Sequence, residues 1–118
     1  MRLLDEMFET VSHHDPQTVL RLNAAHPIYQ LHFPGSPVTP GVCLVKLLGE
    51  LLQRKLDRRL ELKRIVNLKF VQPLSPLETS LLIVDFTSVA ATEEGLHAKG
   101  TITANDQVAT KFSLVYSS

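Results

Sequence analysis

One segment collects the residues best suited to chemistry, and it reads His32-Phe33-Pro34-Gly35-Ser36-Pro37-Val38-Thr39-Pro40-Gly41-Val42. It contains one histidine, two glycines and three prolines, and a long apolar run follows it. An imidazole can gain and lose a proton near neutral pH. The amides that open a helix carry partial positive charge and can hold a developing oxyanion. A histidine on a rigid loop that leads into a helix therefore predicts a site for chemistry at this junction.

The segment before this junction and the segment after it are expected to adopt different backbone conformations. Each proline fixes φ near −65° and removes one amide donor, so residues 33–41 are expected to form neither helix nor central strand. Residues 42–56 are predicted to form one long helix. In a helical projection, four polar residues at or near this helix fall within an arc of about 60°, and these are Lys46, Glu50, Gln53 and Asp57. Apolar residues cover nearly all of the rest, so the helix should be wrapped on several sides, with Lys46 near the site.

The remainder of the chain is rich in strand signals. The pattern predicts strands over residues 8–13, 18–24, 61–72, 79–89, 96–104 and 108–116. One long helix followed by four strands in meander order is an α+β arrangement, and the sheet must curl around the helix. At 118 residues the whole chain, 1–118, is expected to be a single domain.

Composition narrows the function classes. Twelve basic and twelve acidic residues cancel, which argues against a nucleic-acid binder. The single cysteine, Cys43, lies inside the apolar helix and should pack as a small hydrophobic side chain. No apolar run is long enough to span a membrane, and residues 1–8 do not resemble a signal peptide, so a cytoplasmic location is expected.

Half of the basic residues lie close together near the end of the helix, at Arg54, Lys55, Arg58, Arg59, Lys63 and Arg64. Basic side chains in the last turn of a helix interact favourably with its dipole, so this cluster is explained by a solvated helix end. The alternative interpretation is a docking patch for an acidic partner.

The segment at residues 32–42 resembles the signature H-F-P-G-x-P-x-x-P-G-V of the 3-hydroxyacyl-acyl-carrier-protein dehydratases. A second block, Lys69-Phe70-Val71-Gln72-Pro73-Leu74-Ser75-Pro76, is similar to that family's K-F-R-R-P-V-x-P strand. The resemblance spans about residues 26–78. It implies the hotdog fold, in which a bent antiparallel sheet wraps a long central helix. It also implies a homodimer whose sheets join edge to edge.

The resemblance assigns a role to several residues. The substrate would be a 3-hydroxyacyl thioester carried by acyl carrier protein, which is acidic and would be steered by the basic cluster. His32 would take the proton next to the thioester carbonyl, and the Gly41 amide would polarise that carbonyl. Phe33, Pro40 and Val42 would contact the substrate. No metal or other cofactor is implied, and the spacing of the other histidines matches no metal template.

The chain departs from the family pattern at the catalytic acid. The family places a carboxylic acid at the position of Lys46, and its usual glutamine one turn later is Glu50. A positioned general acid is worth roughly 10²–10⁴-fold in rate. Three hypotheses follow: a dehydratase in which Lys46 or Glu50 donates the proton, an acyl thioesterase with Glu50 as general base and Gly41 in the oxyanion hole, or a non-catalytic acyl-binding or partner subunit in which Lys46 pairs with Glu50.

Overall fold

The structure is a computed structural model that describes residues 3–31 and 35–117. Its long helix, α2, covers Gly41–Leu56, and a short helix, α1, covers Ile28–Leu31. The strands are β1 (Phe8–His14), β2 (Gln17–Leu22), β3 (Glu61–Phe70), β4 (Leu81–Ala91), β5 (Leu96–Ala104) and β6 (Gln107–Ser117). The strands and the long helix predicted from the sequence are therefore confirmed to within a few residues. Residues 28–31, expected as a lead-in to the loop, form α1.

The described strands form one antiparallel sheet in the order β1-β2-β4-β5-β6-β3. Alternate residues of β4 point inward, as the buried side chains of Leu82 and Val84 show. They share one hydrophobic core with the leucines of α2, of which Leu47, Leu48 and Leu52 are fully buried. This arrangement is the α+β hotdog fold that the sequence predicts.

The expected meander order is wrong for β3. This strand pairs with β6, with Leu62 opposite Tyr116 and Phe70 opposite Thr110, and not with β4. Residues 71–80 connect β3 to β4. They are too many for a tight hairpin, and two prolines among them lack amide donors. The connection instead passes the start of α2, where the Thr39 amide donates to the Leu74 carbonyl at 2.7 Å. We call residues 71–80 the crossing segment.

Helix α2 ends at Leu56, as the sequence predicts. Its apolar side chains, however, are not all buried. Asp57 follows the last turn with φ 51° and ψ 49°, and its amide donates to the Gln53 carbonyl. Six residues of α2 are buried, namely Cys43, Leu44, Leu47, Leu48, Leu51 and Leu52. Val42 is 76 % exposed, so the helix is not wrapped on every apolar side in a single chain. Within the described ranges, no helix is long and apolar enough to cross a membrane.

Candidate active site

The second half of the motif is held in place from two sides. From one side, the Tyr29 hydroxyl of α1 shares a hydrogen bond of 2.9 Å with the Thr39 hydroxyl. From the other side, the Leu74 carbonyl of the crossing segment accepts a hydrogen bond from the Thr39 amide. Both side chains are buried, at 2 % and 5 % exposure, and desolvation raises the pKa of Tyr29. The phenol therefore stays protonated and fixes the backbone that leads into α2.

Two amides at the start of α2 are available to a ligand. Pro40 occupies the position before the helix with extended backbone angles, φ −62° and ψ 140°, and provides no side-chain cap. Its carbonyl accepts the amides of Cys43 and Leu44 at 3.0 and 3.3 Å. Nothing in residues 3–31 or 35–117 accepts the amides of Gly41 and Val42. A helix start with free amides provides donors for a negatively charged oxygen.

Gly41 has a second function, because the backbone there lies directly under an aromatic ring. A Cβ atom at this position would be 2.7 Å from Cζ and 2.9 Å from Cε2 of Phe70. The contact brings the end of β3 against the start of α2. A cavity of about 350 Å³ opens beside it, with Leu44, Val71, Pro73 and Leu74 among its lining residues. The free Gly41 amide thus lies at the wall of a mainly apolar cavity.

Lys46 lies on α2 and is not among the residues that line this cavity. A helix rises 1.5 Å per residue, so Lys46 is about 7.5 Å along the axis from Gly41. Its side chain is exposed in the single chain. The structure thus gives it access to a neighbouring molecule, and no described residue pairs with it.

Glu50 is engaged by the start of the chain. Its Oε1 accepts the Leu3 amide at 2.9 Å and the Leu4 amide at 3.1 Å, and its Oε2 accepts the Leu3 amide at 2.9 Å. Leu3 and Leu4 are fully buried, so this carboxylate anchors the first turn of the chain to α2. The expected ion pair between Lys46 and Glu50 is not formed between these two described residues.

Comparison with known proteins identifies the family. The family model described as ApeI-like, ApeI dehydratase, matches residues 9–110 of this chain.

The chain belongs to the ApeI-like dehydratase family.

Curated relatives and solved structures agree with this assignment. The 3-hydroxyacyl-[acyl-carrier-protein] dehydratase FabZ of Chlamydia trachomatis serovar L2 is 32 % identical over 74 residues, and so is that of serovar D. The match covers 55 % of this chain and 48 % of FabZ, so the chain matches about half the length of these relatives. The resemblance to the 3-hydroxyacyl-acyl-carrier-protein dehydratases is thereby confirmed.

Two solved structures share the fold at low sequence identity. The dehydratase heterocomplex ApeI:P from Xenorhabdus doucetiae superposes with a TM-score of 0.69 at 19 % identity, and the match covers 94 % of this chain and 98 % of that one. An uncharacterized protein from Erwinia carotovora subsp. atroseptica gives a TM-score of 0.59 at 20 % identity, with 93 % and 91 % covered.

The structure brings together only part of the predicted site of this ApeI-like chain. His32 and Phe33 lie outside the described residues. Gly41 lines the cavity, Pro40 is buried at the start of α2, and Val42 faces outward. Cys43 is buried as expected, and burial raises the pKa of its thiol.

Four residues shape the site without a clear sequence signal for that role, namely Tyr29, Thr39, Phe70 and Leu74. Two of them belong to the second block of the motif, but only the fold brings that block against the helix start. For Leu74, the available signal was an apolar residue between two prolines. A buried apolar residue in a connecting segment must pack against another element. Tyr29 gave no signal beyond its aromatic side chain.

The contact between Gly41 and Phe70 is testable by stability measurements at one protein concentration. We expect Gly41→Ala to lower the free energy of unfolding by about 1 kcal/mol, because the new methyl group forces the ring aside. Gly49→Ala is the matched control, since its Cβ would be 3.7 Å from the nearest atom, on Tyr116. Helix propensity alone should make that variant more stable by up to about 1 kcal/mol.

Urea unfolding of both variants, each also made in a Phe70→Ala background, separates the ring contact from propensity. The loss caused by Gly41→Ala should disappear without the ring. Equal stability of the Gly41→Ala and Gly49→Ala variants in both backgrounds would contradict the contact.

Proposed function

We propose that this chain catalyses the dehydration of a 3-hydroxyacyl thioester attached to acyl carrier protein. The observation that carries the proposal is the free Gly41 amide at the wall of a mainly apolar cavity, within the dehydratase motif. An apolar wall suits an acyl chain, and a free amide suits a thioester carbonyl. FabZ, a relative at 32 % identity, is named for this reaction.

The proposed reaction removes one proton from C2 and one hydroxide from C3 of the substrate. His32 takes the C2 proton, and the electron pair left behind forms the C2–C3 double bond. Meanwhile the Gly41 amide donates to the carbonyl oxygen, on which negative charge builds up. Lys46 donates a proton to the departing hydroxyl group, which leaves as water. Return of the proton from His32 to Lys46 through solvent restores the site.

Lys46 can serve this role only if a second subunit encloses it, since its side chain is exposed in the single chain. The family resemblance places the acid on the partner's helix, so we propose a homodimer in which each Lys46 serves the other subunit's site. The edge strand β3 is the proposed contact. Three of its apolar side chains are 42–47 % exposed, at Leu62, Ile65 and Val66, and an unpaired edge readily accepts another strand.

The alternatives rest on weaker support. A thioesterase would need the Glu50 carboxylate as general base, but that carboxylate already accepts two backbone amides. A partner-subunit role is favoured by one finding, because the ApeI:P structure is described as a heterocomplex. In that case this chain would supply one half of a site and a different chain would supply the carboxylic acid.

The activity test follows two products separately. Purified protein is incubated with a 3-hydroxyacyl thioester and with the corresponding enoyl thioester, while absorbance reports the double bond and a thiol reagent reports hydrolysis. We expect interconversion of the two thioesters without thiol release. Thiol release would indicate the thioesterase, and silence in both assays would indicate the partner subunit.

The role of Lys46 is tested by removing its charge. Lys46→Met should lower the dehydration rate by about 10²–10⁴-fold, the usual contribution of a general acid. Lys111→Met is the control, because Lys111 is an exposed lysine on β6. An unchanged rate in the Lys46→Met variant would remove this residue from the mechanism. A large gain with Lys46→Glu in an inactive wild type would show that the acid step has been lost.

The dimer contact is tested by placing a charge on each edge of the sheet in turn. Val66 on β3 and Val11 on β1 are matched, since they are 43 % and 44 % exposed on opposite edge strands. Sedimentation equilibrium should give twice the 13.2 kDa chain mass for the wild type and for Val11→Asp. Val66→Asp should give the single mass. A wild-type monomer, or a Val66→Asp dimer, would contradict the proposed contact.

Four of the six basic residues in the candidate docking patch have partners in the described part of the chain. Arg54 pairs with Asp5, Lys55 with Asp15, and Arg64 with Glu94, while Lys63 donates to the Glu94 carbonyl. The side chains of the other two, Arg58 and Arg59, are exposed and have no partner among the described residues. We therefore propose that these two arginines attract the acidic carrier protein.

Reversing both charges should weaken carrier binding by about tenfold or more at low salt, with a smaller effect at high salt. The change is Arg58→Glu together with Arg59→Glu, and the control is Lys99→Glu together with Lys111→Glu, which alters net charge equally on β5 and β6. Titration of labelled acyl carrier protein with each double variant measures the affinity for the carrier. Equal weakening by the two pairs would show a net-charge effect and contradict the patch.

A further inference from the structure

A second cavity lies near the other end of α2. Its volume is about 450 Å³, compared with about 350 Å³ for the cavity at Gly41. Both values fall within the range of ligand cavities, roughly 300–1,000 Å³. Leu51 in its wall is about 15 Å along the helix axis from Gly41. The described residues that line one cavity do not line the other.

Apolar side chains form the inner wall of this second cavity. Leu51 from α2 and Phe86 from β4 line it, and they are only 6 % and 5 % exposed. Phe86 is fixed by an edge-to-face contact with Phe112, with ring centroids 5.6 Å apart. This wall can accept an aliphatic group without rearrangement, because its side chains are already packed.

Cationic and titratable groups surround the apolar wall. Lys55 forms an ion pair with Asp15, and its ammonium nitrogen lies 5.9 Å from the centroid of the Phe86 ring. Arg54 lines the cavity and also contacts Asp5, 3.3 Å away. His13 uses Nδ1 to bond the Thr18 hydroxyl at 2.8 Å. Its Nε2 has no partner within the described part of the chain.

We propose that this cavity binds a small amphipathic anion, a carboxylate with a short aliphatic chain. The chain would lie on Leu51 and Phe86, and the carboxylate would accept hydrogen bonds from Lys55 and from Nε2 of His13. Asp15 now occupies the place of that carboxylate, and its side chain is 65 % exposed, whereas that of Lys55 is 23 % exposed. An ion pair with a solvent-exposed carboxylate is weak, so a ligand can displace Asp15. The proposal does not depend on the dehydratase activity.

Octanoate is a suitable probe, and octanol and acetate test its two ends separately. Titration of the full ¹⁵N-labelled chain should show saturable amide shifts at residues 10–18, 51–55 and 86. Octanol and acetate should each bind at least tenfold more weakly, because each lacks one of the two required groups. Lys55→Met should weaken octanoate binding about tenfold or more, as expected for the loss of a hydrogen bond to a charged group. Lys99→Met, which changes an exposed lysine on β5, should not.

Asp15→Asn should change the affinity for octanoate in the opposite direction to Lys55→Met. Removing this carboxylate frees Lys55 and should strengthen octanoate binding several-fold, which a purely structural role for Asp15 would not do. Four results would overturn the proposal: no saturable shift, shifts confined to residues 38–44 and 70–74, octanol binding as tight as octanoate, or weaker binding in Asp15→Asn.

Discussion

The start of the central helix is the place on which the rest of this structure depends. Its first amides must remain free of protein acceptors, yet the backbone that carries them must be fixed. The chain meets both requirements by holding the preceding loop from outside the helix. Tyr29 and the crossing segment both bond Thr39, while Phe70 lies against Gly41. A side chain at position 41 would occupy the space of the ring. The glycine thus allows the close approach of the ring.

Two charged residues lie one turn apart on the central helix, Lys46 and Glu50. The family resemblance predicts a carboxylic acid at the position of Lys46. The structure gives Glu50 an architectural function, because its carboxylate receives the amides of the buried first turn. Lys46 has no such engagement with the described residues and points to solvent. In the proposed mechanism, proton donation therefore depends on a second subunit that surrounds this lysine.

Sequence periodicity predicted the helix and strands well, because burial on one side leaves a repeating apolar pattern. Periodicity could not predict that β3 pairs with β6. An alternating pattern shows which face of a strand is buried, but it does not show which strand lies beside it. For the same reason Phe70 and Leu74 were recognised as part of a motif but not as neighbours of Gly41. The hydrogen bonds of the Glu50 carboxylate could not be predicted either. They come from backbone amides, which every sequence contains, so no residue type indicates them. Long-range contacts of this kind follow from topology alone.

In the proposed mechanism, the peptide N–H that opens the central helix holds the thioester carbonyl. A crystal structure with an unreactive amide analogue of a 3-hydroxyacyl pantetheine thioester tests this directly. The account predicts the analogue's carbonyl oxygen within about 3.2 Å of the Gly41 nitrogen, the ordinary limit for an N–H···O hydrogen bond, with its acyl chain beside Phe70 and Leu74. An analogue bound with its carbonyl turned away from Gly41, or bound only at a distant surface, would contradict it.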